Sequence, residues 1–286
     1  MNRFSLAYSP CPNDTFLFYH LVHENLSSQF SIREELHDVE HLNQAAEKNV
    51  YDITKLSFFA FFHFSDRYVL LNSGSALGRG CGPILVKKKG RKVPDLENCR
   101  IAVPGLLTTA NLLLQIYAGV RLNPVPVRYD LIAGKLIQEE ADLGLIIHEE
   151  RFTYQDRGLE IVQDLGDFWE KKSGLPIPLG AIAVRRDMDR NLQIEIDKTL
   201  RKSLALSWGN PEKAQKYILE NSQEKNLEVV QAHINLYVNS FTDDLGAEGK
   251  KAVLELQKQA VQAGILPSER NDLFLGKVFD RIIANI

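Results

Sequence analysis

The fold of this protein is decided by two short apolar stretches that bracket the middle of the chain. They read Gly82-Pro-Ile-Leu-Val-Lys87 and Pro178-Leu-Gly-Ala-Ile-Ala-Val-Arg185, and both have the composition of a buried strand. We interpret them as hinge strands at which the chain crosses between two lobes. Residues 83–184 then form an inserted lobe, and residues 1–82 together with 185–286 form the other. This arrangement predicts a two-lobed clamp with a central cleft.

Strand-like runs alternate with helical runs on both sides of the first hinge, which is typical of an α/β fold with a mostly parallel or mixed sheet flanked by helices. We expect strands at residues 159–162 and 179–184 to complete the sheet of the inserted lobe. From Leu192 the pattern is helical almost to the end of the chain. Three glycines in Gly78-Arg-Gly-Cys-Gly-Pro83 permit backbone rotation and favour a hinge near 78–87. Their spacing excludes a dinucleotide-binding fingerprint.

The composition indicates a globular protein with a sizeable core. Of the 286 residues, 44% are hydrophobic and 25% are charged, and 34 basic against 37 acidic residues give 34 − 37 = −3. That balance argues against a nucleic-acid partner, which favours a basic surface. There is no run of eighteen apolar residues, so no membrane span is predicted. The first residues lack the apolar core of a secretory signal, so we expect a cytoplasmic protein.

Polar side chains follow two of the predicted strands at their carboxyl ends, where open α/β sheets bind ligands. The first strand runs into Asn13-Asp14 at the start of a helix, where free amides suit a carboxylate or a hydroxyl-rich ligand. The strand that begins at Asp52 ends in Lys55-Leu56-Ser57, which can hold an anionic group and a hydroxyl together. Each pattern also has a structural interpretation, a capped turn in the first case and an exposed lysine with a helix-capping serine in the second.

Two further strands end in candidate site residues. Thr108-Thr109-Ala110 gathers hydroxyls and backbone amides at a helix start and lacks a phosphate-loop pattern, so a carboxylate fits better than a nucleotide phosphate. The buried run Leu143-Gly-Leu-Ile-Ile147 delivers His148 at its carboxyl end. A histidine in such a place accepts a proton near neutral pH, or else it bonds a loop carbonyl. Among these residues, His148 is the strongest candidate for a catalytic base.

The cysteines and the other histidines carry weaker signals. His37 and His41 are four residues apart, a spacing that zinc can use, but no third ligand is evident nearby, and the three cysteines make neither a disulfide framework nor a zinc site. We therefore predict no metal site. Cys11 and Cys81 could both face the cleft, yet no base lies next to either in sequence, so we interpret them as buried small residues. His233, in the helical tail, is a poorer candidate than His148.

Five motifs occur in the order known from one enzyme family. They are Ser9-Pro-Cys-Pro-Asn-Asp-Thr-Phe16, Gly78-Arg-Gly-Cys-Gly-Pro83, Thr108-Thr-Ala110, Ile147-His-Glu-Glu-Arg-Phe-Thr-Tyr154 and Pro176-Ile-Pro-Leu-Gly180. Together they resemble the 1,4-dihydroxy-6-naphthoate synthase family of the futalosine route to menaquinone. The resemblance covers residues 4–185, and the helical tail adds length without specificity.

The resemblance implies a type II periplasmic-binding-protein-like fold, in agreement with the predicted clamp. It also implies a cofactor-free reaction that converts cyclic dehypoxanthine futalosine, a small-molecule carboxylate, to 1,4-dihydroxy-6-naphthoate and a three-carbon sugar fragment. By position, His148 corresponds to the family's proton acceptor. Lys55-Leu56-Ser57 corresponds to one substrate-binding stretch and Thr109-Ala110 to another. We add Asn13, Asp14 and Thr108 to the predicted substrate-binding set.

Two alternatives remain open from the sequence. Chorismate dehydratase of the same pathway shares the fold, although the segment around His148 resembles the later enzyme more closely. A cytoplasmic small-molecule binding protein is the second alternative, because a fold alone does not decide function. The oligomeric state cannot be read from the helical tail.

Overall fold

The computed structural model describes residues 2–276, so Met1 and residues 277–286 lie outside the description. The helical signal predicted for those last residues also lies outside it. Within the described residues, no helix combines the length and the apolar character that crossing a membrane requires.

The strands and helices of the described region follow the predicted alternation. The strands are β1 (Asn2–Tyr8), β2 (Phe30–Leu36), β3 (Ile53–Ser57), β4 (Tyr68–Leu70), β5 (Ala76–Gly78), β6 (Ile84–Lys88), β7 (Ile101–Val103), β8 (Pro124–Pro126), β9 (Leu143–Ile146), β10 (Leu159–Asp164) and β11 (Ile177–Arg185). The helices are α1 (Pro12–His23), α2 (Val39–Ala46), α3 (Phe58–His63), α4 (Thr109–Ala118), α5 (Ile132–Ile137), α6 (Glu150–Thr153), α7 (Leu165–Ser173), α8 (Arg190–Gly209), α9 (Pro211–Asn221), α10 (Leu227–Tyr237), α11 (Ser240–Asp243) and α12 (Gly246–Gln262).

The strands form two mixed sheets. The first has the order β2-β1-β3-β11-β4, with β5 paired to β11, and the second has the order β10-β6-β9-β7-β8. In the first sheet β1 is parallel to β2 and β3, whereas β11 is antiparallel to its neighbours. In the second, β7 is parallel to β8 and β9, whereas β6 is antiparallel to β9 and β10. The parallel strands therefore end at common edges, as the strand-end prediction requires.

The prediction that residues 179–184 complete the second sheet is wrong. They belong to β11, which lies between β3 and β4 in the first sheet and pairs Gly180 with Ser57 and Ile182 with Lys55. An apolar strand that is buried on both faces fits the middle of either sheet, so its composition does not specify its partners. The consequence for the site is that β11 lies directly beside Lys55.

The chain crosses between the sheets twice, after β5 and before β11. The first crossing falls within the predicted glycine-rich hinge, and the second lies at residues 174–176, just before the predicted position. Gly82 is required here by close packing, since a Cβ at this position would lie 2.3 Å from the backbone nitrogen of Gly166. No side chain fits in that space, so this glycine brings the crossing against the start of α7.

The C-terminal helices complete the first lobe by packing on α1. Helices α8, α9 and α10 all contact α1. Burial of each large apolar side chain of α1 stabilises this packing by about 1.5–3 kcal/mol; these side chains are Phe16, Leu17, Phe18 and Leu21. This packing places the amino end of α1 next to the buried face of α10.

We predict that Gly180→Ala destabilises the protein by about 1–3 kcal/mol, the usual cost of overpacking. A Cβ at Gly180 would lie 2.9 Å from the carbonyl oxygen of Leu56 and 3.3 Å from Cε of Lys55, so β11 or β3 must shift. The measurement is the urea midpoint of unfolding. Gly134→Ala is the matched control: a Cβ there meets no atom within 4 Å, so the substitution should leave the midpoint unchanged or raise it. Equal midpoints for wild type and Gly180→Ala would contradict the prediction.

Candidate active site

A cavity opens where the carboxyl ends of β1, β3 and β9 meet the start of α4. All nine side chains predicted as site residues line it, and they are Asn13, Asp14, Lys55, Leu56, Ser57, Thr108, Thr109, Ala110 and His148. The structure therefore brings together residues that are up to 135 positions apart in the sequence (148 − 13 = 135).

His148 has an unusual backbone conformation at the end of β9. Its φ is +59°, in the left-handed region that a non-glycine side chain occupies at a cost of about 1–2 kcal/mol. The ring packs edge-on against Tyr129, with the centroids 4.8 Å apart, and Nδ1 lies 3.3 Å from Sγ of Cys11. Strain of this kind at a cavity wall is typical of functional residues.

The His148 imidazole is neutral at pH 7. Its pKa is lowered from 6.5 to about 4, chiefly by burial; the Asp14 carboxylate opposes this shift and the Lys55 ammonium adds to it. An uncharged ring has a free lone pair, which is what a proton acceptor needs. The same ring in a solvated loop would be partly protonated near neutral pH.

A buried ion pair between Lys55 and Asp14 lines the same cavity as His148. Nζ of Lys55 donates to Oδ1 of Asp14 at 2.6 Å, and the two residues are only 7% and 1% exposed. Ser9 donates to Oδ2 of the same carboxylate at 2.7 Å, and the Asn13 amide donates to Oδ1 at 2.8 Å. The exposed-lysine and simple-cap interpretations of these two motifs are therefore wrong, because the fold buries both groups and pairs them.

His233 joins this network, although the sequence analysis ranked it as a poorer candidate. Its Nε2 lies 2.9 Å from Oδ1 of Asn13, so Nε2 donates and Nδ1 is a buried acceptor without a hydrogen-bond partner among residues 2–276. Burial lowers its pKa well below 6.5, and His148, whose ring centroid is 6.3 Å away, contributes to the same shift. The sequence did contain a signal for this residue. Counted from Val230, the buried residues His233, Ile234 and Tyr237 of α10 follow at spacings of three, four and seven, so His233 lies on the buried face of the helix.

Ser57 and Asn43 form a second polar contact at the end of β3. Asn43 accepts from the Ser57 N–H at 3.0 Å and donates to the Ser57 Oγ at 3.1 Å. Ser57 precedes α3, but its side chain makes no capping hydrogen bond. Because the hydroxyl accepts from Asn43, its own hydrogen points elsewhere, and the residue lines the cavity.

The start of α4 presents backbone amides to the cavity rather than free hydroxyls. The Thr108 hydroxyl caps the helix by accepting from the Asn111 N–H and donates to the Gly105 carbonyl at 2.8 Å. The Thr109 hydroxyl donates to the Leu179 carbonyl at 2.7 Å. The amides of Thr109 and Ala110 belong to the first turn, which has no intrahelical acceptors, so this wall suits an anionic group.

Cys11 and Cys81 are buried, as predicted, at 2% and 1% exposure. Cys81 lines the cavity, and the fold places Cys11 against the imidazole of His148, a base that is far away in sequence. Burial raises the pKa of the Cys81 thiol to about 12 and that of Cys11 well above its ordinary value, so both are protonated thiols at neutral pH.

Fold and cavity together define a class of protein: a periplasmic-binding-protein-like α/β clamp with a histidine and a buried ion pair in its cleft. The alkanesulfonate-binding protein of Xanthomonas axonopodis pv. citri has this fold, with a TM-score of 0.72, 13% identity and 96% coverage of both chains. Protein AF1704 from Archaeoglobus fulgidus is similar at a TM-score of 0.87 and 34% identity, covering 92% of this chain and 98% of that one. The predicted fold class is confirmed.

The chain belongs to the menaquinone biosynthesis family, whose model matches residues 4–262. It is 46% identical over 275 residues to a 1,4-dihydroxy-6-naphthoate synthase of Thermus thermophilus, covering 96% of this chain and all of that one. It is 37% identical over 268 residues to the enzyme of the same name from Streptomyces coelicolor, covering 92% and 94%. The resemblance drawn from the five motifs is confirmed.

Proposed function

We propose that this protein is a 1,4-dihydroxy-6-naphthoate synthase, a carbon–carbon lyase of menaquinone biosynthesis that acts on cyclic dehypoxanthine futalosine. The observation that carries the proposal is the neutral imidazole of His148, held in one cavity with the Lys55–Asp14 pair and the start of α4. The names of the two curated relatives support the same reaction. The enzyme acts in the cytoplasm and releases a three-carbon sugar fragment with the naphthoate.

His148 acts as the general base. With its ring uncharged, it removes a proton from the sugar-derived ring of the substrate and thereby starts ring opening and carbon–carbon cleavage. Aromatisation of the new naphthalene ring supplies driving force. The neighbouring Tyr129 ring fixes the imidazole by edge-on packing, so little reorientation is needed when the substrate arrives.

The other residues that line the cavity position the substrate. The amides of Thr109 and Ala110 receive the carboxylate, because the positive end of α4 favours an anion there. Lys55 and Ser57 donate to oxygens of the substrate from the opposite side. Asp14 acts through Lys55, which it holds at the cavity by their ion pair, and Asn13 donates to the same Asp14 carboxylate.

The two sheets are the cores of two lobes that close on the substrate. In the division drawn from the sequence, residues 1–82 with 185–286 form one lobe and residues 83–184 the other. Because β11 pairs in the first sheet, we propose Ile177 as the second boundary. We propose that rotation at the crossings before β6 and before β11 opens the cleft. Closure expels water from the reacting ring.

Incubation of the pure protein with cyclic dehypoxanthine futalosine, followed by chromatography, tests the proposed function. We expect one equivalent each of 1,4-dihydroxy-6-naphthoate and the three-carbon fragment for each substrate consumed. Binding with release of unchanged substrate would instead indicate a sensor. Turnover of chorismate without action on the cyclic substrate would indicate the dehydratase.

The acid limb of the pH profile reports the ionisation of His148. We expect kcat/KM to hold down to about pH 5 and then to fall as the imidazole is protonated near pH 4, since the neutral ring is the active form. The measurement is the steady-state rate between roughly pH 3.5 and 8, at pH values where circular dichroism shows a folded protein. This interval spans the ordinary and the lowered pKa of the histidine. Glu150 also titrates nearby, because burial raises its pKa to about 7.

The variant Glu150→Gln separates the two groups. It removes the carboxyl group and should leave the acid limb where it is. A limb near pH 6.5 in both proteins would show a solvated histidine and contradict the assignment of a buried, neutral base.

A further inference from the structure

Three potential metal ligands lie close together behind the cavity wall, and one of them, His148, lines the cavity itself. The Cys11 sulfur, a ring nitrogen of His148 and a carboxylate oxygen of Glu149 all lie within 4.8 Å of one another. Within this group, Sγ of Cys11 and Nδ1 of His148 lie 3.3 Å apart. Cys11 is separated from the other two residues by 137 positions or more, so no local sequence spacing indicates this set.

Glu149 supplies an independent observation at the same place. It is only 5% exposed, and its Oε2 has no hydrogen-bond partner within the described residues. Buried carboxylate oxygens are nearly always hydrogen-bonded, paired or metal-bound, and the proposed reaction makes no use of this one. Oε2 of Glu149 is therefore an unsatisfied acceptor, and a carboxylate oxygen of the same side chain lies within 4.8 Å of the thiol and the imidazole.

We propose that Cys11, His148 and Glu149 form a binding site for a soft divalent cation, Zn²⁺. Zinc bonds sulfur at about 2.3 Å and nitrogen or oxygen at about 2.0–2.2 Å, so tetrahedral ligands lie roughly 3.3–3.8 Å apart. The contact between Cys11 and His148 already has this spacing, and a small rotation of the Glu149 side chain supplies the third ligand. Three protein ligands leave the fourth position to water.

Binding exchanges one proton for one cation. The Cys11 thiol loses its proton to solvent and binds as thiolate, Glu149 binds as carboxylate and His148 binds through a nitrogen lone pair, with no change of oxidation state. The metal then occupies the lone pair that the proposed reaction requires. This consequence rests on the proposed function: zinc is an inhibitor that competes with proton transfer, and a chelator reverses the inhibition.

Isothermal titration of the metal-free protein with Zn²⁺ tests the site itself. We expect one zinc per chain and release of about one proton in the thiol-dependent step, measured as the dependence of the heat on the buffer. Titration with Co²⁺ should add thiolate-to-cobalt absorption. Cys11→Ser should weaken binding at least about 100-fold and abolish that absorption, because loss of even an outer-shell group costs 10–100-fold.

Two further variants complete the test. Glu149→Gln should weaken zinc binding at least about tenfold. Cys99→Ser is the matched control, because Cys99 is also a buried free cysteine but does not belong to this group of ligands, and it should bind zinc like wild type. No saturable binding by wild type, or unchanged affinity in Cys11→Ser, would overturn the site. Zinc binding without any effect on turnover would support the zinc site and overturn the base role of His148. Failure of the zinc proposal and failure of the proposed function are therefore distinguishable.

Discussion

Replacing His148 with asparagine is expected to lower kcat for the cyclic substrate by about 100- to 10,000-fold, the usual contribution of a positioned general base. The substrate's Kd should stay within about threefold of wild type, because the walls that hold the carboxylate and the hydroxyls are untouched. Asparagine is the right replacement, since it tolerates the left-handed backbone of this position better than other residues of its size. Single-turnover rates measure the loss in catalytic rate, and equilibrium binding measures the Kd of the substrate.

A second histidine provides the control for this variant. His63 is exposed at the end of α3 and lies outside the cavity, so His63→Asn should keep wild-type kcat and KM. The thermal midpoint of both variants should match wild type, which shows that any loss is chemical. Full turnover by His148→Asn would refute the base assignment.

The largest effect on stability is expected from Asp14→Asn. The substitution leaves the Lys55 ammonium buried without its counter-charge and removes an acceptor for Ser9 and Asn13. Breaking one side of a buried pair costs about 3–5 kcal/mol, a large part of the 5–15 kcal/mol that stabilises a typical domain. We therefore expect a much lower urea midpoint, with the loss of substrate binding following from the displaced lysine.

Two comparisons isolate the effect of the pair. The double variant Asp14→Asn/Lys55→Met should recover part of the lost stability, since it removes the uncompensated charge. Asp167→Asn breaks the exposed Lys171–Asp167 pair, in which both side chains are more than half exposed, and should not shift the midpoint measurably. Equal midpoints for Asp14→Asn and Asp167→Asn would show that the first pair is not a buried one.

The sequence indicated the residues that line the cavity better than it indicated the strand order of the sheets. Strand ends are readable because apolar runs are local, and ligands bind beyond the carboxyl ends of strands, so Lys55, Thr109 and His148 could each be found separately. Strand order is not local. The run at 179–184 is apolar on both faces and fits either sheet, and its pairing with β3 depends on long-range packing that no local pattern encodes.

The contacts that the sequence could not show are all between distant elements. His233 reaches Asn13 only because α10 packs on α1, and Cys11 meets His148 only where the two sheets approach each other. The lowered pKa of His148 has the same origin, since burial is a property of the folded cavity and not of the residue type. The chemistry of the individual residues was predictable, whereas their pairing was not.

The proposed role of His148 is best tested by a crystal structure of the His148→Asn protein with cyclic dehypoxanthine futalosine. We expect the substrate inside the cavity, its carboxylate at the amides of Thr109 and Ala110 and its sugar-derived ring within roughly 3–4 Å of the side chain at position 148, allowing for a substituted base. A substrate bound outside the cavity, or one whose sugar-derived ring faces away from position 148, would contradict it.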